Sequence, residues 1–417
     1  MNNIKNTRLD NGLRVVSESL PHVNSFSLGF WVNVGSIHES AKNNGITHFI
    51  EHMVFKGTRS RSAKKISEDV ESLGGYLNAF TSKEHTCFYG RGLSQHLEKT
   101  FEVIADLLSN PRFDEKDIIN EAGVVVDELY DIEDSPEEVI FDRFESGIYS
   151  GLSLSYPIIG TEKNIRKFNQ KELFEFVKKN YTSDNIVIVA SGKIDHSLLV
   201  SLAEKYLKIP EKRFCTNEKI AKPAKAKNVF IEKDIQQTHI VAGIVAPGIK
   251  NKRRIAVGLL SHILGEGSSS RLFQSLREKN GIAYQINSFF NSFYDISSLG
   301  IYFSTSDLQV PKGLQIIERE LCKLREKSVL AKELNRTKEY IKGNLLMSLE
   351  STTNRMMRMG NSILYYDRIK STEESISQVD NVTIDEISLE AKRLLDFDKM
   401  NIVAMGSNNA PFSSIIN

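Results

Sequence analysis

Cysteine is scarce in this chain: Cys87, Cys215 and Cys322 are the three in 417 residues, far apart and without a Cys-x-x-Cys pair. That argues against a disulfide-built secreted fold and a thiolate metal cluster, and leads us to expect free thiols in a reducing compartment. No run of about 18 apolar residues occurs, so no segment is expected to span a membrane. Met1 to Asn6 lack the apolar core and cleavage site of a secretory leader. The expectation is a cytoplasmic protein, and the abundant Lys, Asn and Ile suggest a bacterial one. An excess of one charge is also missing. Lys and Arg number 54 against 53 Asp and Glu, a net +1, which gives no electrostatic reason for nucleic-acid or membrane binding. The length is too great for one ordinary core and predicts two domains of about 200 residues each.

What is present is concentrated in Gly45-Ile-Thr-His-Phe-Ile-Glu-His-Met-Val-Phe-Lys-Gly-Thr58. Ile46, Phe49, Ile50, Met53 and Val54 recur at helical spacing. His48 and His52, four apart, stack on one face of such a helix, and Glu51, three after His48, shares it. Two imidazoles one turn apart can hold a zinc ion, and a carboxylate beside them can take a proton from water. The pattern is His-x-x-Glu-His, although a polar helix face with two histidines has the same spelling. A catalytic zinc needs a third protein ligand and one open position. Glu121 and Glu128, seven apart in Asn120 to Glu128, lie nearly two turns apart on one helix face, with valines between them to face the core. Spacing alone equally describes an acidic surface helix.

With these residues in place the chain resembles the pitrilysin/insulinase family of zinc peptidases, and within it the bacterial relatives of the catalytic subunit of the mitochondrial processing peptidase. The resemblance runs from about Thr7 to Gly406. It implies one Zn2+ per chain held by His48, His52 and Glu128, with Glu128 standing at the family's separation downstream of His52. It implies Glu51 as the general base and Glu121 as a supporting glutamate. The family has Glu-Arg where this chain has Glu121-Ala122, a departure expected to touch a helper contact only. Asn78, Ala79 and Phe80 match the edge strand that pairs with extended substrate. Arg277 and Tyr284 match a pair that stabilises the transition state. Glu138 and Asp142, one turn apart and downstream of Glu128, match an acidic pair that reads arginine near the cleavage site.

The order of elements appears twice. Thr7 to Val16 reads as two short strands around Asn11-Gly12, and Ser25 to Val34 as a half-buried strand. A helix over Ser62 to Leu73 precedes strands at Tyr76 to Phe80 and His85 to Tyr89. Helices then follow through Tyr181, and a buried strand at Asn185 to Gly192 closes the half. Val245-Ala-Pro-Gly248 echoes Val32-Asn-Val-Gly35, and Asn401 to Gly406 echoes Asn185 to Gly192, at nearly equal offsets. Shifted by the first of these offsets, which carries Val32 to Val245, His48, Glu51 and His52 become Ser261, Leu264 and Gly265. The second copy therefore lacks the metal chemistry. His262 beside them reads as a packed or solvated residue. We expect a zinc-binding peptidase domain over 1–211, a linker over 212–227 and a similar metal-free domain over 228–417. The fold class is α+β, and by resemblance each domain is a mostly antiparallel sheet backed by helices, opening on an antiparallel meander.

The expected function is a zinc endopeptidase acting on peptides or presequence-like segments, with a preference for basic, arginine-containing ones. The resemblance implies four domains around the substrate; since one chain supplies two of them, a homodimer enclosing the substrate is expected. The alternative is a catalytically weak or non-catalytic subunit of a hetero-oligomeric processing complex.

Overall fold

The computed structural model describes residues 3–211 and 228–407. The expected linker over 212–227, and Cys215 with it, lies outside the described residues. In chain order the first half carries β1 (Ile4–Arg8), β2 (Arg14–Ser19), β3 (Ser25–Val32), α1 (Ile46–Val54), α2 (Ala63–Glu71), β4 (Tyr76–Thr81) and β5 (Thr86–Leu93). It continues with α3 (Leu97–Ser109), α4 (Glu115–Asp134), α5 (Pro136–Ile148), α6 (Glu162–Ile165), α7 (Gln170–Asn180), β6 (Ile186–Gly192) and α8 (His196–Tyr206). The second half holds β7 (Val229–Glu232), β8 (Thr238–Pro247), α9 (Arg254–Gly265), β9 (Gln285–Ser292), β10 (Ile296–Thr305) and α10 (Val310–Glu326). It ends with α11 (Ala331–Ser348), α12 (Thr352–Tyr366), α13 (Thr372–Asp380), α14 (Ile384–Leu394) and β11 (Asn401–Gly406).

The first sheet has the order β1-β2-β6-β3-β5-β4 and the second β7-β11-β8-β10-β9. Apart from β1 the two orders are identical, and among the described residues each sheet has a single parallel pairing, β2 with β6 and β7 with β11, towards one edge. The duplication read from sequence is therefore visible in topology. The expected opening meander is not: β6 comes back to lie between β2 and β3, which never pair. β3 also departs from the half-buried expectation, since Phe26 to Val32 are all buried. It is a central strand with apolar cover on both faces. Phe30 meets Phe101 of α3 edge-on at 4.9 Å, and Trp31, on the opposite face, packs with Met356 and Met359 of α12.

Contacts divide the described chain into two compact units that do not follow linear order. One gathers 3–130, 156–211 and 346–370; the other gathers 131–155, 228–345 and 371–407. Thus α5 belongs with the second sheet and α12 with the first. These helices occupy equivalent places in the repeat: the offset that carries Asn185 to Asn401 also carries Pro136, the start of α5, to Thr352, the start of α12. Each lies so close on its sheet that only hydrogen fits between. A Cβ on Gly360 of α12 would stand 2.3 Å from the Trp31 ring, and one on Gly243 of β8 would stand 2.6 Å from Phe144 of α5. Cys87 is buried and Cys322 exposed, both as free thiols. Among the described residues no helix is long and apolar enough to cross a membrane.

Candidate active site

α1 turns Ile46, Phe49, Ile50, Met53 and Val54 into the core and leaves His48, Glu51 and His52 on the opposite face. The helix starts at Gly45, whose φ of +97° and whose crowding by the Ile159 carbonyl leave no room for a side chain. With no cap from Gly45, the start is held by a residue from the preceding loop. The buried Glu39 carboxylate accepts Thr47 N on Oε1 at 2.8 Å, and Gly45 N and Asn44 Nδ2 on Oε2 at 2.8 and 2.9 Å. Burial raises the Glu39 pKa against these bonds.

α4 brings Glu121 and Glu128 to the same place. Its Val125 and Val126 are buried as expected, but Val124, on the face of the two glutamates, is half exposed. Glu128 Oε1 lies 3.7 Å from His48 Nε2, and Oε2 lies 3.4 Å from His52 Nε2. One ligand atom from each of His48, His52 and Glu128 falls within 4.8 Å of the others, and among the described residues this is the group that could hold a metal. Atoms bound to one tetrahedral zinc at about 2.0–2.1 Å stand roughly 3.4 Å apart, so the spacing suits an ion between them. Glu121 Oε1 accepts His52 Nδ1 at 2.9 Å, which leaves His52 Nε2 as the donor towards the metal position. Lys56 pairs with the other Glu121 oxygen at 2.5 Å. Two imidazoles and a carboxylate, with one tetrahedral position left, fit a catalytic zinc.

The electrostatics differ between the two rings. Burial, and then the neighbouring His52 charge, outweigh Glu128 and bring the His48 pKa down to about 4. Burial also works against a charge on His52, but the Glu121 and Glu128 carboxylates outweigh it and hold that ring up to about 9. Glu128 is held below the usual carboxylate range, chiefly by its hydrogen bond from His52. Glu51, by contrast, is raised by burial. The Thr81 hydroxyl donates to Glu51 Oε2 at 2.5 Å.

Asn78, Ala79 and Phe80 lie on β4, an outer strand of the first sheet. Ala79 N donates to Asn78 Oδ1 at 2.9 Å, and Asn78 Nδ2 to the Tyr76 hydroxyl at 2.7 Å, so a side chain covers that edge N–H. Phe80 turns towards Trp31, with ring centroids 5.8 Å apart. In the second unit Arg277 lies in a π-helical turn, Phe273–Glu278, capped at Lys279, and the chain turns just beyond it at Gly281, with φ +58°. Its guanidinium stacks over the Tyr284 ring at 4.6 Å, and Tyr284 is 78% exposed. That pair is thus brought together. Glu138 and Asp142 sit one turn apart on exposed positions of α5. At the equivalent of α1, α9 places Ser261, Leu264 and Gly265 in its buried set. A Cβ at Gly265 would stand 2.5 Å from Ser288 N, so no groove for an ion remains there. His262 is buried against Tyr340, with rings 4.6 Å apart. Nothing in the sequence marks Glu39, Lys56 or Thr81 for these roles, because each depends on a partner that only the fold brings to it.

Residues 14–162 match the family model described as insulinase (peptidase family M16), and 167–341 match the model described as peptidase M16 inactive domain. The chain is 34% identical to the uncharacterized zinc protease YmxG of Bacillus subtilis over 98% of its own length and all of that protein's. It is 33% identical to an uncharacterized zinc protease of Rickettsia felis, covering 94% of this chain and 95% of that one. Among solved structures, a protease from Helicobacter pylori aligns with a TM-score of 0.90 at 23% identity, over 97% of this chain and 99% of that one. A structure described as the peptidase M16 inactive domain from Pseudomonas fluorescens aligns with a TM-score of 0.89 at 20% identity, over 97% and 98%. The solved structures agree in fold, the relatives in sequence along almost the whole chain, and the chain belongs to the insulinase, or M16, peptidase family.

Proposed function

We propose that the protein is a zinc-dependent endopeptidase that cuts extended, basic peptides, including presequence-like ones. The observation that carries this is the group His48, His52 and Glu128 with Glu51 on the same helix face. A zinc ion held there would lower the pKa of a coordinated water and polarise a carbonyl. Glu51 accepts the proton from the attacking water and returns it to the leaving amine. Glu121 fixes the tautomer and direction of His52. The free edge of β4 offers backbone groups to an extended peptide, which displaces the Asn78 carboxamide from the Ala79 N–H. Phe80 faces the opposite side of the strand and supports it from behind.

In this reading Arg277 and Tyr284 donate to the developing oxyanion, and Glu138 and Asp142 hold a substrate guanidinium. Domains over 1–211 and 228–417 that trade α5 and α12, a homodimer enclosing the peptide, one zinc per chain and a cytoplasmic setting complete it. Among the described residues Cys87 and Cys322 are free thiols, which supports a reducing compartment.

The test is cleavage of an arginine-containing basic peptide by wild type and Glu51→Gln, with zinc measured on both. Cleavage by wild type, and an inactive variant that retains about one zinc per chain, is the expected result. A wild type that binds zinc but cuts no peptide at any concentration would overturn it in favour of a partner subunit.

A further inference from the structure

Thr81 ends the edge strand β4 and gives its hydroxyl proton to Glu51 Oε2. A hydroxyl has one proton to give. Its donation pins one lobe of the carboxylate, while Oε1 makes no hydrogen bond among the described residues. A carboxylate held this way presents a single lobe to incoming water instead of sampling rotations about its last bond.

The hairpin end that carries Thr81 is unusually well fixed. Hairpin tips are ordinarily exposed and mobile, yet Lys83, Glu84 and His85 are only 5, 7 and 8% exposed. Ser82 N reaches His85 O at 2.8 Å, closing the turn. Ile37 N donates to Lys83 O at 2.9 Å, and Thr86 Oγ1 to Val34 O at 2.9 Å. Lys83 Nζ reaches Tyr156 O at 2.6 Å, and the Tyr365 hydroxyl reaches Glu84 Oε2 at 2.7 Å. The turn is held from the loop before α1, from the loop at Tyr156 and from α12. A Cβ at Gly35 would stand 2.3 Å from Ser82 O, which shows how closely the first of these lies.

We propose that Thr81 is a positioning residue for the Glu51 carboxylate, and that it acts from the strand that receives the peptide. The inference rests on Glu51 being the general base. Strand alternation turns Ala79 and Thr81 to one face and Phe80 to the other. A peptide lying along β4 is therefore registered against the same backbone that holds the base. Binding and proton transfer share one rigid element, so alignment of the scissile bond with Glu51 does not depend on a mobile loop.

The test compares Thr81→Val, which keeps β-branching and volume but has no proton to donate, with Thr81→Ser, which keeps the donor. Expected for Thr81→Val is a kcat about 10- to 100-fold lower with KM within about twofold of wild type. Thr81→Ser should restore most of the rate. Zinc content should equal wild type in both. Affinity for an uncut fluorescent peptide, measured in the Glu51→Gln background, should not change when Thr81→Val is added. If Glu51→Gln is inactive while Thr81→Val keeps the wild-type kcat, the positioning role is refuted and the base reading stands. If Glu51→Gln keeps full activity, the base reading fails and takes the proposal with it. Loss of zinc in Thr81→Val, or a Thr81→Ser variant as slow as Thr81→Val, would assign the residue to the integrity of the site and overturn the proposal.

Discussion

Metal loading should depend steeply on pH, and the dependence should trace to one ring. A metal ligand must be free of its proton. His48, brought down to about 4 by burial, is neutral throughout the physiological range and contributes no slope. His52 is held up to about 9 because Glu121 and Glu128 outweigh its burial, so near pH 7 zinc has to displace a proton from it. Two pH units below that value about one site in 100 has a neutral ring, which weakens apparent affinity about 100-fold, or about 2.7 kcal/mol. Affinity should thus climb about tenfold per pH unit from 6.5 to 8.5 and level off near 9. The assay is competition for zinc against a chelator, corrected for the chelator's own protonation, at three pH values. Glu121→Gln supplies the internal control. It removes the carboxylate whose hydrogen bond is the largest single influence raising His52, so the plateau should start at lower pH. The same substitution weakens the orientation of His52, which typically costs 10- to 100-fold in metal affinity, so the plateau should also be lower. A flat affinity between pH 6.5 and 8.5 in wild type, or an unchanged slope in Glu121→Gln, would refute the reasoning.

Three further outcomes are expected. His85, buried among the rings of Trp31, Phe80 and Tyr365, has its pKa brought from 6.5 down to about 4, so the folded state resists a proton that the unfolded chain accepts. Its contribution is intact above pH 6.5 and is lost as pH falls towards 4, about 2 kcal/mol of stability by pH 5, and His85→Phe should remove that part of the acid sensitivity in denaturant titrations. Gly360→Ala gains about 1 kcal/mol of helix propensity but forces a methyl to 2.3 Å from the buried Trp31 ring; overpacking of about 1–3 kcal/mol or more should win and lower the denaturation midpoint. Glu138→Ala should slow cleavage of an arginine-containing peptide several-fold relative to its norleucine analogue; equal rates for both substitution states would remove that glutamate from substrate reading.

The parts of the site that are legible from sequence are those whose geometry is local. The period of Ile46, Phe49, Ile50 and Met53 sets which face of α1 is buried, and His48, Glu51 and His52 follow as the opposite face. Glu121 and Glu128 share a face because a heptad closes nearly two turns, but only the resemblance put them beside α1. Glu39 and Thr81 are different in kind: their roles depend on where a loop and a strand end arrive after folding. β3 reads as half-buried, and is not, because its alternation is between two apolar faces. Which of them is covered depends on α12, close to the other end of the chain. The exchange of α5 and α12 is likewise unreadable locally, since an amphipathic helix does not name the sheet it will cover.

That exchange ties each sheet to a distant part of the chain. The first sheet lacks one of its covers until residues 352–366 have been made, so during synthesis Trp31 and its neighbours wait, exposed, for almost the whole chain to emerge. By the same topology, a single cut within 212–227 would leave two fragments each holding a helix that the other needs. They should stay together as a nicked but folded protein, separable only by a denaturant, and neither fragment expressed alone should reach the native state.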